Sequence, residues 1–149
     1  MFIDNAKVAG QLSFKHYDQD GNLKGEYVEK NLLVTAGLAY IASRMKDATA
    51  TAMTHMALGS GNTAASAGQT ALVTQLGSRV ALTATTVTSN VIEYTATFGA
   101  GVATGAVVEA GIFNASSGGT MLCRTVFGVK TKEAGDSFAM TWTITLAAA

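Results

Sequence analysis

Two histidines, one cysteine and a few carboxylates are the side chains of this chain that could support nucleophilic or acid–base chemistry. His16 and His55, together with serines and aspartates, could nominally supply a hydrolytic triad. The chain contains no Gly-x-Ser-x-Gly motif, which would present such a serine on a sharp turn. His16 falls at the end of a strand-like segment and His55 inside a short one, where structural histidines are common. We therefore assign no catalytic residue and expect that the protein is not an enzyme.

A second candidate is a calcium loop between the first two strand-like segments. Asp18, Asp20, Asn22 and Glu29 occupy the first, third, fifth and twelfth positions of EF-hand spacing. The sixth position needs glycine and is Leu23, and the flanking segments are strand-like where an EF-hand has helices. The Asp-Gly step predicts a hairpin turn here, and we expect no metal site.

The segment 59–68 consists of small residues and resembles a phosphate-binding loop only superficially, because the lysine of a P-loop is missing. We expect no cofactor. The segment has no hydrophobic anchor, which predicts that it is either mobile or ordered by a neighbouring molecule. The candidate partner-contact residues in it are Gly59, Ser60, Gly61, Asn62, Thr63 and Gly68.

Two charged residues interrupt strongly apolar runs. Glu109 lies in residues 107–113 and Arg124 in residues 121–129. A buried charge needs a partner, so the two form a possible ion pair, either structural or at a subunit interface. An active-site carboxylate is a weaker interpretation, because no companion acid is visible. Cys123, beside Arg124, is interpreted as a small buried apolar residue.

These residues must be positioned mainly by strands. Residues 138–146 alternate large apolar side chains with Ala and Thr, the period-two pattern of a strand with one buried face. Residues 91–98 alternate in the same way, whereas 107–113 and 121–129 are nearly continuous apolar runs typical of central strands. Turn residues separate these segments at the spacing of a sandwich or barrel.

The N-terminal part predicts a hairpin from residues 8–15 and 25–33, followed by one helix near residues 35–46. Thr35 is the expected N-cap, and an apolar stripe at helical spacing is expected to face the sheet. That stripe comprises Leu38, Ile41, Ala42 and Met45. Residues 54–58 predict a short strand and 72–88 further strand-like chain. The prediction is an all-β, antiparallel β-sandwich in which residues 1–149 form a single domain.

Composition narrows the possible partners. The chain has 48% hydrophobic and 13% charged residues, with ten basic and ten acidic side chains. A neutral chain without a basic cluster lacks the electrostatic footprint of a nucleic-acid-binding protein. No signal peptide and no apolar run long enough to span a membrane appear, so we expect synthesis in the cytosol and no membrane partner. Proline is absent, which leaves sheet edges without one common protection against pairing.

Several segments resemble, in order along the chain, a family of small structural proteins of tailed bacteriophages. They are residues 31–37 (NLLVTAG), 53–61 (MTHMALGSG), 109–114 (EAGIFN), 119–127 (GTMLCRTVF) and the final strand 136–146. Similar sequences occur among capsid cement, or decoration, proteins and among tail-fibre or collar components. The resemblance to cement proteins implies a jelly-roll-like sandwich that binds the capsid exterior.

The cement role implies the major capsid protein and the protein itself, as homodimer or homotrimer, as partners. It also implies a virion location after synthesis in the host cytoplasm. A fibre normally carries an elongated repeat such as heptads, which this short chain lacks, so a compact cement is favoured. The alternative is a tail-fibre or collar component that contacts other tail proteins or the host surface. A hydrolase or sugar-binding module is a third class, since β-sandwiches host both activities.

Overall fold

The computed structural model describes residues 6–46 and 50–148. Over these residues the chain forms ten strands and one helix. In chain order they are β1 (Ala6–Tyr17), β2 (Leu23–Lys30), β3 (Leu32–Leu33), α1 (Thr35–Lys46), β4 (His55–Gly59), β5 (Val80–Ala81), β6 (Ala84–Thr88), β7 (Val91–Phe98), β8 (Gly105–Phe113), β9 (Met121–Lys132) and β10 (Ser137–Ala148).

The strands form two five-stranded antiparallel sheets. Sheet A has the order β2-β1-β10-β7-β6, and sheet B has the order β3-β9-β8-β4-β5. Side chains from both sheets meet in one large hydrophobic cluster. The mainly β, sandwich-like antiparallel fold is therefore confirmed, whereas the jelly-roll topology stays a prediction.

Strand β10 shows how the alternating pattern builds the core. Four of the five large apolar side chains predicted to point inward are buried, namely Phe138, Met140, Trp142 and Ile144. Leu146 was also predicted to be inward, but it is 43% exposed because it lies at the end of sheet A. Trp142 stands opposite Leu12 of β1 and Tyr94 of β7, so the three central strands of sheet A share this buried row.

Strands β8 and β9 lie at the centre of sheet B. From Val107 to Phe113 every residue of β8 is buried, which agrees with a strand covered on both faces. One face of β8 packs into the main core through residues such as Ile112. Phe113 instead packs in a second, smaller cluster, against which Leu72 is also packed. Chain between β4 and β5 therefore covers part of the outer face of sheet B.

Helix α1 has the predicted bounds, but of the four residues predicted to face the sheet only Ile41 packs against the core. Leu38 is 47% exposed and Met45 is 83% exposed, and Ala42 is exposed as well. Gly37 is buried instead, and a Cβ at that position would collide with the backbone carbonyl of Leu122 in β9. The helix is rotated because this glycine, the residue with least bulk, permits the closest approach to the sheet.

The start of α1 also differs from the prediction by one residue. Leu38 donates its backbone N–H to the carbonyl of Val34 at 3.0 Å, so Val34 occupies the N-cap position. Thr35 is the first helical residue, and its N–H donates to the carbonyl of Ala67 at 2.8 Å. This last bond ties the helix start to the small-residue segment 59–68.

The strand-like prediction for residues 72–88 is correct only in part. Strands occur at Val80–Ala81 and Ala84–Thr88, while residues 72–79 are irregular apart from a single bridge between Gln75 and Gly59. Arg79 stacks over the ring of Phe113, with its guanidinium carbon 3.5 Å from the ring centroid. Residues 74–76 pair briefly with the end of β4, whereas Leu72 and Arg79 pack on the outer face of sheet B.

Candidate functional site

The two charged residues of the apolar runs meet on the outer face of sheet B. Glu109 lies on β8 and Arg124 on the adjacent β9, and both side chains are fully buried. Arg124 Nε donates to Glu109 Oε2 at 2.9 Å, and Nη2 lies 2.7 Å from the same oxygen in an ion pair. The possible partners named from the sequence are therefore in direct contact.

The carboxylate of Glu109 also accepts three backbone N–H groups from the chain that crosses sheet B. Gly61 and Thr74 donate to Oε1 at 3.1 and 2.8 Å, and Val73 donates to Oε2 at 3.0 Å. Glu109 therefore accepts four hydrogen bonds, one from Arg124 and three from backbone, in addition to its ion-pair contact with Nη2. Such saturation compensates for the cost of removing a carboxylate from water.

The remaining donors of Arg124 bind the segment 59–68 and its neighbourhood. Nη1 donates to the carbonyl of Thr63 at 2.9 Å and to Oε1 of Gln69 at 3.0 Å. Gln69 also accepts the N–H of Ser66 at 3.0 Å. We call Glu109 and Arg124, with the backbone groups that they bind, the Glu109–Arg124 hub.

The hub changes the interpretation of segment 59–68. The sequence predicted that this segment is either mobile or ordered by a neighbouring molecule, and the structure shows that the chain itself supplies the anchor. The anchor is polar, and it comes from residues about 40 to 60 positions further along the chain. The sequence around the segment therefore contains no local signal of this polar anchor.

Glycines allow this chain to lie directly on the sheet. A Cβ at Gly61 would come within 2.8 Å of the Glu109 carboxylate and 2.5 Å of the Val73 side chain. A Cβ at Gly59 would collide with the same carboxylate and with the carbonyl of Thr74. Gly59 and Gly61 are therefore part of the hub's packing.

The partner-contact residues named from the sequence now separate into two groups. Gly59 and Gly61 are buried and Ser60 is half-buried, so these residues offer little surface to another molecule. The exposed members are Asn62, Thr63 and Gly68. Among the residues named from the sequence, only these three could contact another molecule.

His16 belongs to a separate buried cluster, at the end of the sandwich where the β1–β2 hairpin meets the turn before β10. Its Nε2 lies 2.7 Å from Oδ2 of Asp136, and both residues are buried. The same oxygen accepts Lys24 Nζ at 3.0 Å and the N–H of Glu133 at 2.9 Å. The hydrogen bond from His16, followed by those from Glu133 and Lys24, holds the pKa of Asp136 well below its usual range.

Lys132 completes this cluster. Its Nζ donates to the carbonyls of Gly99 and Asp136, each at 2.7 Å, and its side chain is buried. Burial lowers the pKa of Lys132 below its ordinary value. Sequence reasoning missed both Asp136 and Lys132, because they flank a turn and only the tertiary fold brings His16 to them.

The other candidate residues have structural partners. His55 Nδ1 lies 2.8 Å from Thr54 Oγ1, and His16 and His55 belong to different sheets. Among residues 6–46 and 50–148, neither histidine hydrogen-bonds a serine. Cys123 is fully buried, and burial raises the pKa of its thiol well above the ordinary value.

The carboxylate of Asp18 is used by its own turn. It accepts the backbone N–H groups of Asp20 and Asn22, each at 2.9 Å, and the Asn22 side-chain amide at 3.2 Å. The backbone hydrogen bond from Asn22 is the leading cause that lowers the pKa of Asp18. In the part of the chain that the structure describes, no group of three or more His, Cys, Asp or Glu residues could hold a metal ion.

Two of the exposed surfaces could contact another protein. The first is the outward face of α1, which carries Leu38 and Met45. The second is strand β6 at the edge of sheet A, where all five residues are exposed. Within the described ranges, no helix is long and apolar enough to cross a membrane.

Comparison of the chain with family models, with curated proteins and with solved structures found no match. The site geometry and the exposed surfaces are therefore the observations from which a function can be argued.

Proposed function

We propose that this protein is a bacteriophage capsid decoration protein that binds the outside of the shell at seams between major-capsid-protein subunits and stabilises it. The observation that carries the proposal is the apolar outward face of helix α1, where Leu38 is 47% and Met45 83% exposed. Strand β6, an uncharged sheet edge with every residue exposed, presents unpaired backbone groups that can bind a second chain. The segment resemblance to cement proteins supports the same role.

The buried polar residues favour a structural role over a catalytic one. The carboxylates of Glu109 and Asp136 are each bound by basic side chains and backbone N–H groups of the same chain. Their geometry secures loops and turns to the two sheets. A rigid scaffold that presents apolar and unpaired backbone surface suits a structural role.

The exposed apolar side chains of α1 supply the contact with the shell. Leu38 and Met45 lie on the outward side of the helix, where burial against a partner would remove apolar surface from water. A seam between capsid subunits is a surface that exists only in the assembled shell. A protein that binds the assembled shell and not its separated subunits stabilises it by mass action, and many symmetry-related copies multiply a modest affinity.

The test uses the intact protein and expanded empty shells that lack it. Under the proposal, a reconstruction of the mixture shows density at repeated positions on the capsid exterior, with a copy number set by capsid symmetry. Shells carrying the protein should also resist heating better than bare shells. Density confined to a few copies at the tail would replace this proposal with the tail-fibre or collar role, and no binding to any virion part would reject both.

A Leu38→Glu, Met45→Glu double variant asks whether α1 is part of the contact. Its matched control is Leu23→Glu, Val28→Glu, which changes two exposed apolar residues of strand β2. If α1 meets the shell, the first variant loses binding and the control keeps it. The reverse result would assign the contact to the β2 edge.

A further inference from the structure

Strand β6 is the less protected of the two edges of sheet A. It pairs with β7 on one side, and its five residues Ala84–Thr88 include no charged residue and no proline. The opposite edge, β2, carries four charged side chains among its eight residues, at Lys24, Glu26, Glu29 and Lys30. Charged side chains are a common protection against edge-to-edge pairing, so β2 has this protection and β6 lacks it.

The hairpin that joins β6 to β7 determines which backbone groups of β6 are free. Ser89 and Asn90 form a two-residue turn, with Thr88 directly opposite Val91. In an antiparallel ladder, hydrogen-bonded and non-hydrogen-bonded pairs alternate, beginning with the bonded pair next to such a turn. Thr88 and Thr86 therefore bond to β7, while the N–H and C=O groups of Thr85 and Val87 point away from the sheet.

We propose that two copies of this chain pair through β6, antiparallel and across a two-fold axis at Thr86. In this register Thr85 of each copy stands opposite Val87 of the other. The two residues exchange both of their N–H···O=C bonds, which gives four intermolecular hydrogen bonds. A strand always matches its own copy in this arrangement, because antiparallel pairing of identical strands is symmetric.

A groove beside β6 supports a second copy as the occupant. Its volume is about 370 Å³, and its lining includes Thr85, Ile92 and Tyr94 of sheet A and Tyr40 of α1. Val87 is 68% exposed and projects from the same face of the sheet as Thr85. The proposed register brings Val87 of the second copy beside Thr85, next to this groove, which is largely apolar but is also lined by Arg44.

The symmetry makes the assembly finite. Each copy uses its only uncharged sheet-A edge, so two chains close into a dimer with one ten-stranded sheet and no further copy can add there. Five-residue strands bury less surface than the roughly 1,200 Å² of a stable interface, so association of free chains is weak. The inference rests on the proposed function, because the symmetry of the capsid would hold the paired copies together. The dimer itself is measured on purified protein alone.

The experiment measures the dimer by sedimentation equilibrium up to about 1 mM protein, together with amide hydrogen exchange. Wild-type protein should show a concentration-dependent dimer. Exchange at Thr85 and Val87 should slow as concentration rises, whereas Thr86 and Thr88 are protected at every concentration.

Val87→Pro is the decisive variant, because proline removes an N–H that faces away from the sheet and leaves the β6–β7 ladder intact. It should raise the dimer dissociation constant roughly tenfold or more, through the two lost intermolecular bonds. Thr85→Pro removes the other outward N–H and should act similarly, so one misfolded variant does not end the test. Val87→Thr keeps the N–H and should retain most of the dimer.

A wild-type protein that stays monomeric at all these concentrations would overturn the inference, as would proline variants that dimerise like wild type. A monomer that still decorates empty shells would leave the proposed function standing without this interface. A protein that dimerises through β6 but binds no part of a virion would support this interface and reject the proposed function.

Discussion

Replacing Arg124 with methionine should destabilise the fold by about 3–5 kcal/mol, because the substitution leaves the buried carboxylate of Glu109 without its cation. Methionine has a similar length, so the change tests the guanidinium and not the volume. The variant also loses the bonds to Thr63 and Gln69 that hold segment 59–68. Against a total stability of about 5–15 kcal/mol for a domain, the effect is easily measured by urea denaturation.

A double-mutant cycle separates the pair from its surroundings. Glu109→Met alone leaves Arg124 buried without its anion and should cost a similar 3–5 kcal/mol. The Glu109→Met, Arg124→Met chain contains no buried unpaired charge, so its loss should fall below the sum of the single losses by roughly 1–3 kcal/mol. It remains less stable than wild type, because the N–H groups of Gly61, Val73 and Thr74 lose their acceptor.

The matched control is Lys15→Met, which breaks an exposed ion pair with Glu26 whose charged atoms are 4.0 Å apart. Its effect should stay below about 1 kcal/mol, because water screens surface pairs. Amide exchange at Gly61 and Thr74 should accelerate in Arg124→Met and remain unchanged in the control. A loss under about 1 kcal/mol in Arg124→Met, with these amides still protected, would refute the assignment of the hub as the anchor of this segment.

Three further predictions concern other parts of the fold. Asp136→Asn should cost about 1–3 kcal/mol at neutral pH through the weakened bond to His16. Since the folded pKa of Asp136 is depressed, its contribution is present above the unfolded value of about 3.9 and is lost as pH falls below it, so acid unfolding curves of the variant should be flatter there. Gly37→Ala should lower thermal stability by about 1–3 kcal/mol, because the added Cβ meets the carbonyl of Leu122. Cys123 should resist a thiol reagent in native protein and react fully in denaturant, because its thiol is buried and its pKa is raised.

Each of these predictions has a clear contrary outcome. Equal pH dependence in Asp136→Asn and wild type would show that the cluster does not couple the fold to protonation. Alanine is a better helix former than glycine, so a Gly37→Ala variant that is as stable as wild type or more stable would contradict the close contact with Leu122. Modification of Cys123 as fast in the native state as in denaturant would contradict its burial.

Local pattern was a reliable guide to the strands. Residues 91–98 were predicted as a strand and form β7 with those bounds, and the predicted helix near 35–46 spans Thr35–Lys46. Period-two alternation and turn residues act over a few positions, so they can be read without the fold. Such patterns also identified Glu109 and Arg124 as charges in buried strands, which can have only a few kinds of partner.

The helix face shows where local pattern stopped being sufficient. Apolar spacing favoured Leu38 and Met45 as the buried side, but the helix turns Gly37 toward β9. Propensity and hydrophobic spacing describe an isolated helix, whereas the closest approach of two backbones depends on the element that lies opposite. The buried side of α1 is therefore set by how the helix packs against β9.

The sequence alone determined the strand pattern, the sandwich class and the presence of two charges that needed a partner in a buried sheet. The tertiary structure decided what those charges bind, because the register of β8 and β9 places Glu109 and Arg124 diagonally across from each other, beneath a loop that lies far from them along the chain. It also decided that His16 meets Asp136, 120 residues later, and that β6 is left as an edge. Contacts between distant segments depend on how whole elements are ordered and packed, which no short stretch of residues specifies.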